Sequence, residues 1–383
     1  MAGCAAALRD AFVAACRARH LDAHDHVLSL SGGIDSRAVG AGMRAAFGTF
    51  SAVTFVAPGS SHADERDVAS RVARALGADW RAYEFDHTDP SSIDGIIRLK
   101  LGLNPVDVAF GLDYVRRVQA DHAQPVALWT GEGADKMLCE HRAIPRRPNT
   151  DELVRFIVEK NAVFAPARVR ALTGVHEDDL LESIRAAVLS AGDVEPDDAY
   201  VHFLLAERVV RWHTEGEDRH RTSVWPIAPY FARDFFELAR AIPAQWKHGR
   251  RVYRAFLEAL APDVAALPLA GGHAAPASTR FALEYALRET LRNNRYASSA
   301  YAHLRRRRAS ARTHNDPWRD RLAALREASG APACFDAAAI DDVLSGRAPA
   351  SSYAMAVLLT TVLAVRHIEK DRPKGGRDGM PAC

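Results

Sequence analysis

The sequence predicts an α/β protein in which helices flank a parallel five-stranded sheet, with an added and mostly helical C-terminal region. Three observations support this fold class. Short apolar runs alternate with helical patterns over the first 150 residues, which is typical of a parallel sheet covered by helices. Two glycine-rich motifs directly follow apolar runs, and beyond residue 151 the strand signals fade.

The individual elements follow from the spacing of apolar residues. Strand signals lie at 26–31, 50–56, 80–85 and 125–130, and they alternate with helical patterns at 35–47, 62–76, 107–120 and 133–142. We expect a leading helix in 1–24, a sheet-bearing part at 25–150, a helical part at 151–260, a helical C-terminal region at 261–370 and a disordered tail at 371–383. The Pro-, Gly- and Ala-rich stretch 262–277 predicts a loop.

Composition excludes several classes of protein. The chain has 383 residues with 50 basic and 48 acidic side chains, so its formal net charge of +2 argues against a nucleic-acid partner. Five scattered cysteines are typical of a reduced, cytoplasmic protein. No run of eighteen apolar residues occurs, so we expect no membrane span.

The first glycine-rich motif, at residues 31–36, reads Ser-Gly-Gly-Ile-Asp-Ser and lies between a strand signal and a helical pattern. Two glycines let the backbone approach an oxygen-rich ligand, and the helix N-terminus and two serine hydroxyls favour an anion. Asp35 would repel phosphates unless a divalent cation lay between them, so the motif predicts a phosphate ligand with Mg²⁺. The alternative is an ordinary capped turn. The motif is not a Walker A loop, because no Gly-Lys-Ser/Thr follows.

This motif resembles the pyrophosphate loop of the N-type ATP pyrophosphatases, the PP-loop superfamily. The second motif, at residues 129–135, reads Trp-Thr-Gly-Glu-Gly-Ala-Asp and is similar to a segment of the asparagine synthetases. The resemblance extends over about residues 25–260. It implies an adenine nucleotide α-hydrolase-like fold without a glutaminase domain, because only about 25 residues precede the first strand signal. The β-lactam synthetases are relatives of the same group.

The resemblance also implies site residues. The residues expected to bind ATP are Leu30, Ser31, Gly32, Gly33, Asp35, Ser36, Phe55, Thr130 and Gly131, and those expected to hold Mg²⁺ are Asp35 and Asp135. Glu132 matches the glutamate that the family places beside the adenylated substrate, where a carboxylate could take a proton from an amine. A solvated loop glutamate is the alternative, and β-lactam synthetases have tyrosine at this position.

Two departures from the family pattern concern basic residues. Lys136 stands where the family has glutamate, so it could contact pyrophosphate or indicate that the acceptor binds differently. Residues 229–234 resemble the family's Pro-Phe-Leu-Asp helix, after which members carry a catalytic lysine in a Lys-x-x-x-Arg pattern. This chain has Arg250 there, with Lys247 and Arg251 nearby. Arginine keeps the charge but cannot release a proton. These four basic residues are candidate catalytic groups, and a basic surface cluster is the alternative.

The implied activity is an ATP-dependent ligase of specialised metabolism that adenylates a carboxylate and joins it to an amine, releasing AMP and pyrophosphate. We expect small-molecule or peptide substrates, with the amine on a second substrate, although ammonia or a partner subunit could supply it. Glu215, Glu217 and Asp218 could orient an amine, but a polar loop is more common. A partner protein or a homodimer is possible.

Two other functions stay open at this point. A related PP-loop enzyme could activate a nucleobase or tRNA carbonyl for thiolation or amination, for which Cys139 offers a thiol near the second motif. A non-catalytic scaffold that keeps the fold would account for Lys136 and for the missing lysine.

Overall fold

A computed structural model describes residues 1–56, 63–86, 88–141, 148–292, 294 and 316–371. Its five strands form one sheet in the order β3-β2-β1-β4-β5, and every neighbouring pair is parallel. The strands are β1 (Asp25–Ser29), β2 (Ser51–Val56), β3 (Asp79–Glu84), β4 (Val126–Trp129) and β5 (Trp225–Ile227). The predicted fold class is therefore confirmed.

Helices make up most of the remaining described chain. The α-helices are α1 (Ala2–Arg17), α2 (Ile34–Phe47), α3 (Ala63–Leu76), α4 (Pro90–Lys100), α5 (Phe110–Ala120), α6 (Ala134–Leu138), α7 (Thr150–Asn161), α8 (Pro166–Thr173), α9 (Glu177–Leu189), α10 (Pro196–Phe203), α11 (Thr214–His220), α12 (Arg233–Ala241), α13 (Ala244–Lys247), α14 (Arg251–Leu260), α15 (Pro262–Ala265), α16 (Thr279–Arg292), α17 (Pro317–Ser329), α18 (Ala337–Leu344) and α19 (Ser352–Asp371). A π-helix spans Leu204–His213, and short 3-10 helices span Val106–Val108, Pro229–Phe231 and His248–Arg250.

The chain divides into two compact units that alternate along the sequence. The sheet unit comprises Met1–Asp86, Gly111–His141 and Gly216–Asn293, and the helical unit comprises His87–Phe110, Arg142–Glu215 and Asn294–Cys383. The expected domain ranges run consecutively and stay predictions, and residues 372–383 of the expected tail lie outside the described residues. Among the described helices, none is both long enough and apolar enough to cross a membrane.

The core of the sheet unit lies on both faces of the sheet. On one face α1, α2, α12 and α14 bury a cluster of aromatic side chains, in which the Phe12 ring lies 5.0 Å from Phe235 and 5.3 Å from Phe256. On the other face Val115 and Val118 of α5 pack against β-strand valines. Val27 and Leu28 of β1 and all four residues of β4 are buried, as expected for central parallel strands that are covered on both faces.

Two elements have no counterpart among the predicted segments. The fifth strand has three residues and contains Pro226, which lacks the N–H of a ladder bond and is tolerated because β5 is an edge strand. Helix α4 begins after the Asp89 cap, whose carboxylate accepts a hydrogen bond from the Ser92 backbone N–H. The predicted loop 262–277 also contains a short helix, α15.

Candidate active site

The two glycine-rich motifs leave the sheet side by side. Strands β1 and β4 are parallel neighbours with Leu28 opposite Trp129, so both chains emerge at the same edge of the sheet. Strands β2 and β3 lie on one side of β1, whereas β4 and β5 lie on the other. The motifs therefore stand where the strand order reverses, which is the place where open α/β sheets bind ligands.

Gly131 brings the second motif into contact with the first. A Cβ atom at Gly131 would lie 2.9 Å from the backbone N of Ser36 and 3.0 Å from the Cβ of Asp35. Any side chain at this position would push the motifs apart, so glycine is required by packing. Glu132 and Asp135 are both close enough to raise the pKa of Asp35. Three carboxylates from the two motifs thus share one region.

The loop at residues 31–36 is held by its own serines. The Ser31 N–H donates to the Ser36 Oγ at 3.0 Å, and the Gly33 N–H donates to the Ser31 Oγ at 3.2 Å. Gly32 was expected to let a ligand approach the backbone, but the structure gives a different reason for a glycine at this position. A Cβ at Gly32 would lie 2.4 Å from the Cβ of Ala270, so this glycine makes room for the chain that follows α15.

Arg37, one residue beyond the motif, fixes that following chain. Its side chain is fully buried and donates five hydrogen bonds to backbone oxygens. The acceptors are Gly32, Gly33, Val264, Leu267 and Pro268, at 2.9–3.2 Å. Burial lowers the pKa of Arg37 to about 10, so the guanidinium stays charged at neutral pH. The predicted loop 262–277 is consequently bound to the first motif.

Two buried tyrosines orient Asp35. The Tyr253 hydroxyl donates to Asp35 Oδ1 at 2.6 Å, and the Tyr230 hydroxyl donates to the Asp35 backbone oxygen at 3.1 Å. Burial raises the pKa of both tyrosines well above the usual value, so they remain donors. Burial also raises the pKa of Asp35 to about 6, against the lowering effects of Tyr253 and of Arg250. Neither tyrosine was among the predicted site residues.

The four candidate basic side chains differ in their distance from Asp35 and in their exposure. Arg250 lies close enough to Asp35 to lower its pKa, and its guanidinium stands 4.6 Å from the centre of the Tyr285 ring. Its neighbour Arg251, the first residue of α14, is exposed. Lys247 is half-buried at the end of α13. Lys136 pairs with Asp135. Arg250 is therefore the basic residue best placed to act on charge beside Asp35.

Glu217 of α11 joins the site from a segment 82 residues beyond the end of the second motif. The Thr130 hydroxyl donates to Glu217 Oε1 at 2.7 Å, whereas Oε2 is buried and accepts no hydrogen bond from the described residues. Burial, and then Glu132, raise the pKa of Glu217 to about 7. Burial lowers the pKa of nearby His220 to about 3, so this imidazole is neutral. The acidic cluster of the sequence therefore forms a helix, and one member reaches the site.

The two remaining predicted ATP contacts lie at neighbouring strand ends. Phe55, near the end of β2, exposes 42% of its surface, and its ring lies 5.5 Å from that of Tyr114. Leu30 is buried, and its N–H donates to the Val53 oxygen. The Leu30 oxygen accepts a hydrogen bond from the Thr54 hydroxyl. Phe55 thus offers an exposed ring for a base, whereas the backbone of Leu30 serves the sheet.

The donor set at the meeting of the motifs fits a magnesium ion. Asp35, Glu132 and Asp135 offer carboxylate oxygens, which are the ligands that Mg²⁺ prefers. Asp135 and Glu132 both raise the pKa of Asp35, which indicates negative charge that a divalent cation would neutralise. Lys136 competes for Asp135, since the two side chains form an ion pair.

Comparison with known proteins gives a family. No curated protein matches the chain. The model of the family described as asparagine synthase matches residues 7–334, which include both motifs, all five strands and Arg250. This match spans most of the 383 residues. The chain therefore belongs to the asparagine synthase family, a family of ATP-dependent ligases that form carbon–nitrogen bonds.

Proposed function

We propose that this protein is an AMP-forming amide ligase that adenylates a carboxylate and transfers the acyl group to an amine. The observation that carries the proposal is the contact of Gly131 with Asp35 and Ser36, which joins the pyrophosphate-loop motif to the motif bearing Glu132 and Asp135. Membership of a carbon–nitrogen ligase family supports the same chemistry.

In the first step a carboxylate oxygen of the acid attacks the α-phosphorus of ATP. A new P–O bond forms, the bond to the bridging oxygen of pyrophosphate breaks, and pyrophosphate leaves with the electron pair. Asp35 and Asp135 would hold Mg²⁺, which supplies charge neutralisation for the leaving pyrophosphate. The Arg250 guanidinium adds a fixed positive charge beside Asp35. A guanidinium group can also donate two hydrogen bonds at once to phosphate oxygens.

In the second step the amine attacks the acyl carbon, and AMP leaves with one oxygen of the original carboxylate. The amine must lose a proton as the amide forms. Glu132 belongs to the second motif and lies near enough to Asp35 and to Glu217 to raise the pKa of each. A carboxylate with a pKa of about 7 can accept a proton at neutral pH and pass it on. We therefore assign proton removal to Glu132 and Glu217 together.

The substrates remain a carboxylate and an amine of small-molecule or peptide size, and a partner protein or homodimer stays a prediction.

The nucleobase-thiolating alternative depended on Cys139. Burial raises the pKa of this thiol to about 12, so its nucleophilic thiolate is scarce at neutral pH. This observation favours the amide ligase over the thiolating enzyme.

The proposal is tested by isotope transfer. The protein is incubated with ATP, Mg²⁺, an amine and a panel of acids whose carboxylates carry ¹⁸O, and the nucleotides are analysed by mass spectrometry. We expect one labelled oxygen in AMP. Formation of ADP would contradict adenylation. If no acid gives labelled AMP and no pyrophosphate is released, the result would support the non-catalytic scaffold.

Replacing Arg250 tests its electrostatic role. We expect Arg250→Met to lower pyrophosphate release about 100-fold, because a preorganised charge beside the reacting phosphates is lost. Arg250→Lys keeps the charge and should retain most of the rate. The exposed neighbour Arg251 gives a matched control, so Arg251→Met should leave the rate within about twofold of the original. Equal losses in the two methionine variants would refute this assignment.

The pH dependence tests Glu217. Its pKa is raised to about 7, so the carboxylate form grows as pH rises through that value, and the rate of amide formation should rise with it. Glu217→Gln should lower that rate about 100-fold and abolish this acidic limb. Asp218→Asn, on the exposed side of the same helix, is the control. A Glu217→Gln enzyme with an unchanged limb would show that another group titrates.

A further inference from the structure

One face of α16 lies along the chain that presents Arg250. Residues three and four positions apart share a side of a helix, and Phe281, Tyr285 and Glu289 recur at that spacing. The central carbon of the Arg250 guanidinium stands 4.6 Å from the centre of the Tyr285 ring, and the Phe281 ring stacks on Tyr285 with 4.2 Å between ring centres. The Glu289 carboxylate accepts a hydrogen bond from the Gly249 backbone N–H. Helix α16 therefore contacts both the backbone before Arg250 and the Arg250 side chain.

The backbone that α16 contacts is strained. Gly249 and Arg250 are both left-handed, with φ of 60° and 55°. Glycine adopts this region freely, whereas an arginine disfavours it, so neighbouring groups must hold Arg250 there. A Cβ at Gly249 would also lie 3.3 Å from the Cβ of Ala286, so α16 packs closely on this turn. Strain of this kind clusters at sites where the placement of a residue serves a function.

Hydrogen bonds to the two residues before Arg250 hold the strained turn. His248 Nδ1 donates to Glu140 Oε2 at 2.7 Å, and the Gly249 N–H donates to Glu289. The Glu140 side chain is fully buried and that of Glu289 is 6% exposed. Hydrogen bonds to a charged acceptor are stronger than neutral ones, and burial strengthens them further. Two segments distant in sequence, the chain after α6 and the end of α16, thus fix the backbone that leads into Arg250.

We propose that Tyr285 and Glu289 of α16 are positioning residues for Arg250. Glu289 holds the left-handed backbone through the Gly249 N–H, and the Tyr285 ring holds the guanidinium beside Asp35. A ring face attracts a cation and leaves the guanidinium able to donate hydrogen bonds to phosphate oxygens. The inference rests on the proposed function, in which Arg250 acts on charge beside Asp35. Both residues act through Arg250 and not on the reacting atoms.

A double-mutant cycle on the full chain tests the inference. The kcat is measured from pyrophosphate release with an acid that supports it. We expect Tyr285→Leu and Glu289→Leu each to lower kcat about 10-fold, because a displaced guanidinium stabilises the transition state less. In the Arg250→Met background the same two substitutions should lower kcat less than about twofold, since the side chain through which they act is gone. A merely structural role would instead lower the rate equally in both backgrounds.

Conservative variants and a control on the same helix sharpen the test. Tyr285→Phe keeps the ring face and Glu289→Gln keeps an oxygen for the Gly249 N–H, so both should retain kcat within about threefold. Glu284→Leu is the matched control, because Glu284 is on α16 and also contacts a histidine, His273. It should leave kcat within about twofold of the original.

Hydrogen exchange gives a readout that does not depend on catalysis. In Glu289→Leu the backbone amides of residues 248–251 should exchange at least about 10-fold faster than in the original chain, whereas Glu284→Leu should leave them unchanged. Unchanged exchange in Glu289→Leu would overturn the inference even if no acid supports pyrophosphate release.

The kinetic outcomes separate this inference from the proposed function. If Arg250→Met keeps the original rate, the role of Arg250 in the proposed function is wrong and the inference falls with it. If Arg250→Met loses the rate while Tyr285→Leu and Glu289→Leu keep it, or lose it equally in both backgrounds, the positioning role alone is wrong and the proposed function stands.

Discussion

The Asp35→Asn variant is expected to lose pyrophosphate release almost completely while becoming a more stable protein. Asparagine keeps an oxygen for the Tyr253 hydroxyl, which lies 2.6 Å from Asp35 Oδ1, but removes the charge that would hold Mg²⁺. We expect the rate to fall by about 1,000-fold, because a metal-binding carboxylate acts directly on the leaving group. The measurement is pyrophosphate release with any acid that supports it in the unaltered chain.

The stability change has the opposite sign, and it depends on pH. The pKa of Asp35 is raised by burial from 3.8 to about 6, so folding disfavours the ionised carboxyl. This cost is fully present above the folded pKa and disappears as pH falls through about 6 towards 3.8. Without Mg²⁺, Asp35→Asn should therefore raise the free energy of unfolding at pH 8 by on the order of 2 kcal/mol, and by less at pH 5.5.

Asp25→Asn provides the control for both measurements, because Asp25 begins β1, at the end of that strand opposite to the motif that contains Asp35. It should change neither the rate nor the pH dependence of stability appreciably. An active Asp35→Asn enzyme would remove Asp35 from the proposed metal site, and a destabilised one would contradict the electrostatic cost assigned to this carboxyl.

Replacing Arg37 should destabilise the sheet unit more than any surface substitution. Arg37→Met leaves five backbone oxygens without their donor in a buried place, so we expect the free energy of unfolding to fall by about 4 kcal/mol. Arg37→Lys keeps the charge but cannot reach all five oxygens, and about half of that loss is expected. Urea unfolding measures both effects. The Km for ATP should also rise, because Arg37 binds the carbonyls of Gly32 and Gly33.

Arg44 is the matched control for Arg37, since both residues belong to α2 and both contact the chain at α15. Arg44 pairs with Asp263 at 2.8 Å, but the pair is partly exposed. Arg44→Met should therefore cost no more than about 1 kcal/mol. If Arg37→Met unfolds at the same urea concentration as Arg44→Met, the five hydrogen bonds do not stabilise the fold as inferred.

Much of the sheet could be predicted because each strand and the helix that follows it are formed by contiguous residues of the sequence. Val27 and Leu28 of β1 and all four residues of β4 are buried, and the apolar character of these residues can be recognised in the sequence without knowing which strands lie beside them. The same reasoning failed for β5, whose three residues include Pro226 and show no periodicity. Only the hydrogen bonds from β4 make that segment a strand.

The candidate site was predictable to the extent that it lies in the two motifs. Glu217 was visible only as one member of an acidic cluster, because no local signal tells which member of a helix faces a pocket. Arg250 and Arg251 are adjacent and chemically identical in sequence. Arg250 precedes α14 with a left-handed backbone (φ 55°), and it lies near Asp35 while Arg251 is exposed. Which of the two adjacent arginines approaches Asp35 depends on the direction that the backbone takes in three dimensions, and the sequence does not reveal it.

By itself the sequence determined the parallel α/β fold and the positions of both motifs, because short-range patterns of apolar residues and glycines encode these properties. The ligase family was indicated by the resemblance of the two motifs to those of the asparagine synthetases, and the family match confirms it. The tertiary structure decided which residues surround Asp35 and how they are charged. Tyr230, Tyr253 and Arg250 approach Asp35 from segments about 200 residues away. Their effect on its pKa depends on burial and distance, and a linear sequence specifies neither until the chain has folded.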